Sequence, residues 1–154
     1  MTPSNLETTG RSGLAPRALA ALLLLWAGVV IGVSFLAAPA KFAAPSLTLP
    51  VAMDVGRQEF GVLNLVEVGL AAVTLALAFL ARPARPIWLG LGLAAAIVAL
   101  QALWLLPVLD ARAEMIIEGQ TPPDAPWHTV YVVIEIAKLL ALLGAGWLAL
   151  ARLR

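Results

Sequence analysis

The sequence predicts an all-α fold, an up-down bundle of four transmembrane helices with both termini in the cytoplasm. Of the 154 residues, 62% are apolar and only 12% are charged, about half the charged content of a typical soluble domain. Four apolar stretches are each long enough to cross roughly 30 Å of hydrocarbon. Arginines collect on one side of these stretches and acidic residues on the other.

The predicted spans cover residues 17–38, 60–80, 87–106 and 127–150. They must be helices, because an open strand leaves backbone groups without hydrogen bonds in lipid. Residues 1–16 are rich in Ser, Thr, Gly and Pro and lack apolar periodicity, which predicts a disordered cytoplasmic tail. The remainder, residues 17–154, is expected to form a single membrane domain.

The first span also has features of a signal peptide, because a basic start and an apolar run precede Ala38, Pro39 and Ala40, an Ala-x-Ala cleavage pattern. The run exceeds the roughly 7 to 15 apolar residues of a signal peptide. Gly28 and Gly32 form a GxxxG pattern, which favours close packing against another helix. We therefore expect a retained helix.

The orientation of the bundle follows from the arginines. Six of them fall on one side of the predicted spans: Arg11, Arg17, Arg82, Arg85, Arg152 and Arg154. The positive-inside rule assigns that side to the cytoplasm. The two outer loops are longer and contain several prolines, so contact with a substrate or partner is expected there.

Several prolines mark the expected helix boundaries. Ser46 or Thr48 is expected to cap a helix that starts at Pro50 and continues into the second span. Pro126 is expected at the start of the fourth span. Pro107 is expected to end the third helix. The charged group after it is then expected in a solvated loop or interfacial turn, with a role in gating an outer opening left open: Asp110, Arg112 and Glu114.

Two rows of polar side chains interrupt the apolar helices. The fourth span carries His128, Tyr131, Glu135 and Lys138, and the second carries Arg57, Asn64 and Glu67. At about 100° per residue, each row lies on one face of its helix. A lone charge at the helix centre costs about 2.5 to 3.5 kcal/mol. We therefore expect the rows to face each other, with Glu67 paired to Lys138, in a polar core that Gln101 can join.

If Glu67 pairs with Lys138, Glu135 still needs a partner to neutralise its charge. The candidate partners of Glu135 are Arg57, His128, Gln101 or a bound proton, and a carboxyl group without a full partner is expected to have a raised pKa. Three roles of the polar core stay open: it ties the helices together, it relays protons or ions from an outer cavity, or it is the site of a membrane-embedded enzyme.

The composition excludes several kinds of function. A net charge of +1 leaves no basic surface for phosphates, so nucleic-acid binding is not expected. Without cysteine the chain has no disulfide or thiolate metal site, and its single histidine excludes bis-histidine haem ligation within one chain. Because no phosphate-binding loop, nucleophile with an adjacent base or zinc motif is found, we predict no cofactor, metal ligand or catalytic residue.

A set of short motifs resembles an uncharacterised family of four-helix membrane proteins. The matching positions are Trp26, Ala27 and Gly28, then Phe35, Ala38, Pro39 and Phe42, and later Gly56, Phe60 and His128. The resemblance implies a four-helix integral membrane fold and carries no established activity. It does not include Glu67, Tyr131, Glu135 or Lys138.

The sequence thus predicts a small multi-pass protein of a bacterial-type inner membrane, with a structural or accessory role. The runner-up is a proton-coupled or small-molecule transporter that uses Glu67, Glu135 and Lys138, and an enzyme is the least favoured class. The lipid bilayer is the expected partner. Small residues such as Gly92 and Gly144 leave a second copy or another membrane protein open as partners, and no small-molecule ligand is identified.

Overall fold

The computed structural model describes residues 4–153 as four long helices, with no strand in that range. We number them α1 (residues 4–41), α2 (Leu49–Ala81), α3 (Arg85–Ile117) and α4 (Trp127–Ala151). All four are long and apolar enough to cross a membrane. The predicted number of helices of that length and composition is therefore confirmed, and a multi-pass membrane protein is indicated. Residues 1–3 and 154 lie outside the described residues, as do the side chains of residues 4–12, which include Arg11.

Helix α1 begins at Ser4, well before the boundary near residue 16 that composition predicted. Pro16 lies inside this helix. Once a helix is nucleated, each further residue adds one backbone hydrogen bond. A long apolar helix can therefore extend into flanking sequence that has no apolar periodicity of its own.

Helices α1 and α3 each contain a π-helical turn just before a proline. In α1 the segments are Ser4–Val30 (α), Ile31–Ala37 (π) and Ala38–Lys41 (α), and in α3 they are Arg85–Leu100 (α), Gln101–Leu105 (π) and Leu106–Ile117 (α). Proline lacks an N–H, and its ring collides with the carbonyl four residues back. In the wider turns, the Ala38 N–H bonds to the Val33 carbonyl and the Leu106 N–H to the Gln101 carbonyl, each five residues back.

The prediction that Pro107 ends the third helix is therefore wrong. The helix continues to Ile117, and Asp110, Arg112 and Glu114 lie on it rather than in a solvated turn. Within the π turn the backbone N–H groups bond five residues back, which accommodates the proline without ending the helix.

The start of α2 follows the predicted pattern only in part. Thr48 is the N-cap residue, with extended backbone, but its side chain makes no capping hydrogen bond, and the helix begins at Leu49, one residue before Pro50. The helix then runs without a break through the second span, as predicted. At its other end, Arg82 adopts a left-handed conformation (φ 46°) and its N–H bonds to the Ala78 carbonyl, which closes a short turn into α3.

Each helix packs against two neighbours: α1 and α3 both contact α2 and α4. Small residues permit the closest approaches. A Cβ added at Gly90 would lie 2.9 Å from the Ala145 Cβ, and one at Gly146 would lie 2.7 Å from a methyl group of Leu24. At four further glycines, a Cβ would have no described atom of another helix within 4 Å, so close packing there stays open only against a second copy or another protein: Gly28, Gly32, Gly92 and Gly144.

Candidate functional site

Polar side chains from all four helices meet in one enclosed group. Trp26 and Ser34 come from α1, Glu67 from α2, Gln101 from α3, and Glu135 and Lys138 from α4. We call these six residues the polar cluster. Ser34 is half-buried, and the other five are at most 1% exposed. At such burial, each polar atom needs a partner within the protein.

Lys138 lies at the centre of the polar cluster. Its Nζ atom is 2.6 Å from Oε1 and 2.7 Å from Oε2 of Glu67. It is also 2.9 Å from Oε2 of Glu135 and 2.9 Å from Oε1 of Gln101. An ammonium group has three N–H donors, which provides one for each of these three side chains. The hydrogen-bonding capacity of the lysine is therefore fully used.

The two carboxyl groups differ in their other partners. Oε1 of Glu67 accepts a hydrogen bond from the Trp26 indole N–H at 2.9 Å. Oε2 of Glu135 accepts one from the Gln101 amide at 2.7 Å, and its Oε1 lies 2.6 Å from the Ser34 hydroxyl. Glu67 is thus surrounded by groups that only donate, whereas Glu135 faces a hydroxyl that can donate or accept.

Local helix geometry explains how these side chains meet. Glu135 and Lys138 are three residues apart on α4 and so are neighbours on one face. Ser34 and Gln101 both lie in the π turns of their helices. A π turn contains an extra residue, which changes the direction in which its side chains point relative to a regular α-helix. The π turns therefore help to direct the side chains of Ser34 and Gln101 toward the polar cluster.

Two residues of the predicted polar core, Arg57 and His128, lie away from the polar cluster and do not pair with Glu135. Arg57 pairs with Asp110 and Glu114 of α3. Ten residues separate it from Glu67, which is about 15 Å along a helix. His128 is exposed in the first turn of α4. Of the four candidate partners of Glu135, the structure brings Gln101 to it.

Tyr131 and Asn64 flank the polar cluster. Tyr131 is buried, its ring packs edge-to-face on Phe60 with centroids 5.1 Å apart, and its hydroxyl lies beside Ser34. Asn64 is half-buried, and its Nδ2 atom has no hydrogen-bond partner among the described residues. The predicted row on α4 therefore contributes Tyr131, Glu135 and Lys138 to the interior.

Separate ion pairs join the helices at the end of the bundle where α2 and α4 begin. Lys41 of α1 lies 2.6 Å from Glu59 of α2. Arg57 of α2 lies 2.6 Å from Asp110 of α3 and also contacts Glu114. The Asp110 and Glu114 side chains are about half exposed. Exposed pairs contribute little to stability, so the contacts of Arg57 are weaker constraints than the polar cluster. The Lys41 and Glu59 side chains are only 10% and 18% exposed.

A groove between two of the helices does not reach the polar cluster. It has a volume of about 620 Å³, lies between α1 and α2, and is lined mainly by apolar residues, with Lys41, Asp54 and Glu59 among its polar residues. A second pocket of about 220 Å³ lies near Arg82 and Arg152. No residue of the polar cluster lines either one.

The two halves of the chain contain matching elements. Pro39 and Glu67 recur 68 positions later as Pro107 and Glu135. Each proline follows a π turn, and each glutamate is buried on the next helix. Lys138 breaks the correspondence, because the matching position in the first half is Leu70. One lysine therefore serves two carboxyl groups.

Sequence reasoning did not identify Trp26 and Ser34 as site residues. Trp26 did give a signal, because it lies in the middle of a span, away from the interfaces where tryptophan is enriched. A buried indole N–H usually has an acceptor. Among the described residues, no group of three or more His, Asp or Glu side chains is arranged to hold a metal ion.

Comparisons with protein-family models, with curated proteins and with solved structures find no match to this chain. The resemblance to a four-helix membrane family stays a prediction.

Proposed function

We propose that the chain is a multi-pass protein of a bacterial-type inner membrane with a structural or accessory role, in which the polar cluster fixes the arrangement of the helices. The supporting observation is that one enclosed set of hydrogen bonds includes a side chain from every helix. Lone charges are costly in hydrocarbon. Any arrangement that separates α2 from α4 would leave such a charge unpaired, so the cluster selects one packing of the bundle.

The proposed topology is up-down, with both termini in the cytoplasm. Pro16, Arg82 and Arg152 line one pocket, so the start of the first span, the α2–α3 turn and the end of α4 meet at one end of the bundle. The arginines near this pocket are exposed: Arg17, Arg82, Arg85 and Arg152. Exposed arginines gathered at one end favour the cytoplasmic side for that end.

Reporter fusions test this topology. A phosphatase that is active only outside the cytoplasm should be active after Gly119, in the α3–α4 loop, and inactive after Arg154. A fluorescent protein that folds only in the cytoplasm should give the opposite pattern. Exchange of the two patterns would overturn the orientation, and phosphatase activity at both positions would overturn the four-span topology.

Proton-coupled transport is the second candidate, and one arrangement favours it. Glu135 contacts Ser34, and the Ser34 hydroxyl lies beside Tyr131, one turn nearer the start of α4. A carboxyl group with two hydroxyls close to it has the groups that a proton relay needs. The route leads from the polar cluster toward the end of the bundle that carries the acidic residues.

Purified protein in lipid vesicles distinguishes the two roles. A pH-sensitive dye inside the vesicles reports proton entry under an imposed pH gradient. The structural role predicts the same proton entry as in protein-free vesicles. Transport predicts faster entry that Glu135→Gln abolishes and that Glu118→Gln leaves unchanged, because Glu118 is exposed in the α3–α4 loop. Entry that depends on Glu135 would therefore replace the structural proposal.

A further inference from the structure

We infer that the polar cluster is a proton-binding site, in which one proton resides on Oε1 of Glu135 and is donated to the Ser34 hydroxyl. This inference goes beyond the proposed structural role and does not depend on transport. It assigns a charge state to the cluster and a specific atom to the proton. The net charge of the cluster requires the proton, and the hydrogen-bond partners of the two carboxyl groups identify the atom that holds it.

Charge balance requires one proton in the cluster. From α1 and α3 the facing groups are Trp26, Ser34 and Gln101, none of which titrates. From α2 and α4 they are Glu67, Glu135, Lys138 and Tyr131. Tyrosine is neutral at physiological pH. If both glutamates were ionised, the enclosed site would carry a net charge of −1, and an uncompensated buried charge is strongly destabilising. One bound proton makes the site neutral.

No other described cation is placed to supply the missing charge. Lys41 is engaged by Glu59, and Arg57 by Asp110 and Glu114, at the end of the bundle. Each of these cations already has at least one carboxylate partner of its own. A proton on one of the two buried carboxyl groups is the remaining way to balance the cluster.

The hydrogen bonds show which carboxyl group holds the proton. Both oxygens of Glu67 face the Lys138 ammonium, and one also faces the Trp26 indole. Neither partner can accept a hydrogen bond, so a proton on Glu67 would have no acceptor. Glu67 is therefore the carboxylate of the pair.

The hydrogen-bond partners of Glu135 also identify which of its two oxygens holds the proton. Its Oε2 atom receives N–H groups from Gln101 and Lys138. The lysine also fixes the direction of the Gln101 amide, because the amide oxygen must accept from the ammonium. Only Oε1 faces a group that can accept, the Ser34 hydroxyl at 2.6 Å, which is an ordinary distance for an O–H···O bond.

Infrared spectroscopy tests this assignment directly, because a protonated carboxyl group has a C=O stretching band well separated from carboxylate bands. The protein is purified in a detergent without ester or acid groups and measured at neutral pH, where exposed carboxyl groups are ionised. We expect one protonated carboxyl group per chain. Labelling all glutamates with ¹³C should shift the band and labelling the aspartates should not.

Substitutions then locate the proton. Glu135→Gln should remove the band, and Glu59→Gln, at the end of the bundle, should leave it. Ser34→Ala should retain the band but move it to higher frequency, because the carboxyl group loses its acceptor. Ser46→Ala, in the exposed α1–α2 loop, is the matched control and should not move it.

Two outcomes would overturn the inference. The first is a wild-type spectrum without a protonated carboxyl band at neutral pH. The second is a glutamate band that Ser34→Ala leaves unshifted, which would place the proton elsewhere. Ser34→Ala removes a single atom, so it decides the question even if Glu135→Gln fails to fold. Because the spectrum measures proton occupancy and the vesicle assay measures flux, either proposal can fail while the other stands.

Discussion

Lys138 of α4 contacts both carboxylate oxygens of Glu67 of α2, at 2.6 and 2.7 Å, although 71 residues separate them in sequence. Removing one partner of a buried pair typically costs about 3 to 5 kcal/mol. We expect Lys138→Met to lower the thermal stability in detergent severely, since it leaves two carboxyl groups without a cation. Adding Glu67→Gln and Glu135→Gln to that variant removes all charge and should restore most of the loss. A mild effect of Lys138→Met alone would contradict this account.

Exchanging the charges of Glu67 and Lys138 tests whether the two side chains stabilise the protein by pairing with each other. Glu67→Lys and Lys138→Glu should each be strongly destabilising, because each places like charges together. Combining them should recover stability only in part, since the new carboxylate at position 138 would lie three residues from Glu135. Full recovery in thermal unfolding would show that Glu135 is not coupled to Lys138. If the double variant recovered no stability, the contact between positions 67 and 138 would not be what stabilises the bundle.

The indole of Trp26 is expected to stabilise the protein through the hydrogen bond of its N–H as well as through the volume that it fills. Trp26→Phe removes the hydrogen bond to Glu67, and buried polar contacts between membrane helices contribute about 1 to 2 kcal/mol. Trp147→Phe is the matched control, because Trp147 is 66% exposed. Thermal unfolding should show a clear decrease for the first variant and little change for the second. Equal effects would mean that the N–H of Trp26 contributes nothing measurable.

Two glycines of α3 provide a packing test. At Gly90, an added Cβ would lie 2.9 Å from the Ala145 Cβ and 3.0 Å from the Ala141 carbonyl oxygen, whereas at Gly92 nothing lies within 4 Å. Gly90→Ala should therefore destabilise by about 1 to 3 kcal/mol through overpacking. Gly92→Ala should be neutral or stabilise by up to about 1 kcal/mol, because alanine has the higher helix propensity. Denaturation in mixed detergent measures both, and the reverse order would contradict the α3–α4 packing.

Replacing Pro107 should be harmful, although proline inside a helix ordinarily costs about 3 kcal/mol. Pro107→Ala restores an N–H and permits a regular α-helix, which would turn the Gln101 side chain away from Lys138. We expect lower thermal stability. In a Gln101→Leu background the same change should no longer be harmful, and a double-mutant cycle measures the coupling. Additive effects would mean that the π turn does not position Gln101.

Hydropathy was sufficient to predict the four apolar helices, and helical periodicity was sufficient to predict that Glu67 and Lys138 lie close together. The two residues meet in the interior although α2 and α4 each pack mainly against α1 and α3. Neither pattern was sufficient for the third helix. A π turn adds a residue, so the direction of side chains such as Gln101 cannot be extrapolated at 100° per residue across it. Hydropathy also gives no reason to assign a hydrogen-bond partner to a single hydroxyl such as that of Ser34.

The polar rows show a second limit of periodicity. Arg57 lies on the predicted row with Glu67, and His128 on the row with Glu135, yet neither enters the polar cluster. Periodicity reports the face of a helix that a residue occupies, whereas contact also requires the same depth along the axis. At about 1.5 Å per residue, seven to ten residues correspond to about 10 to 15 Å.

The correspondence between the two halves of the chain has a consequence for stoichiometry. Two copies of the first half would bring together two counterparts of Glu67 and no counterpart of Lys138, whereas two copies of the second half would bring together equal numbers of Glu135 and Lys138. Only one copy of each gives two carboxyl groups to one ammonium. Joining the halves in a single polypeptide fixes their ratio at one to one, so the odd carboxyl group is present in every molecule and does not depend on the relative expression of two separate proteins.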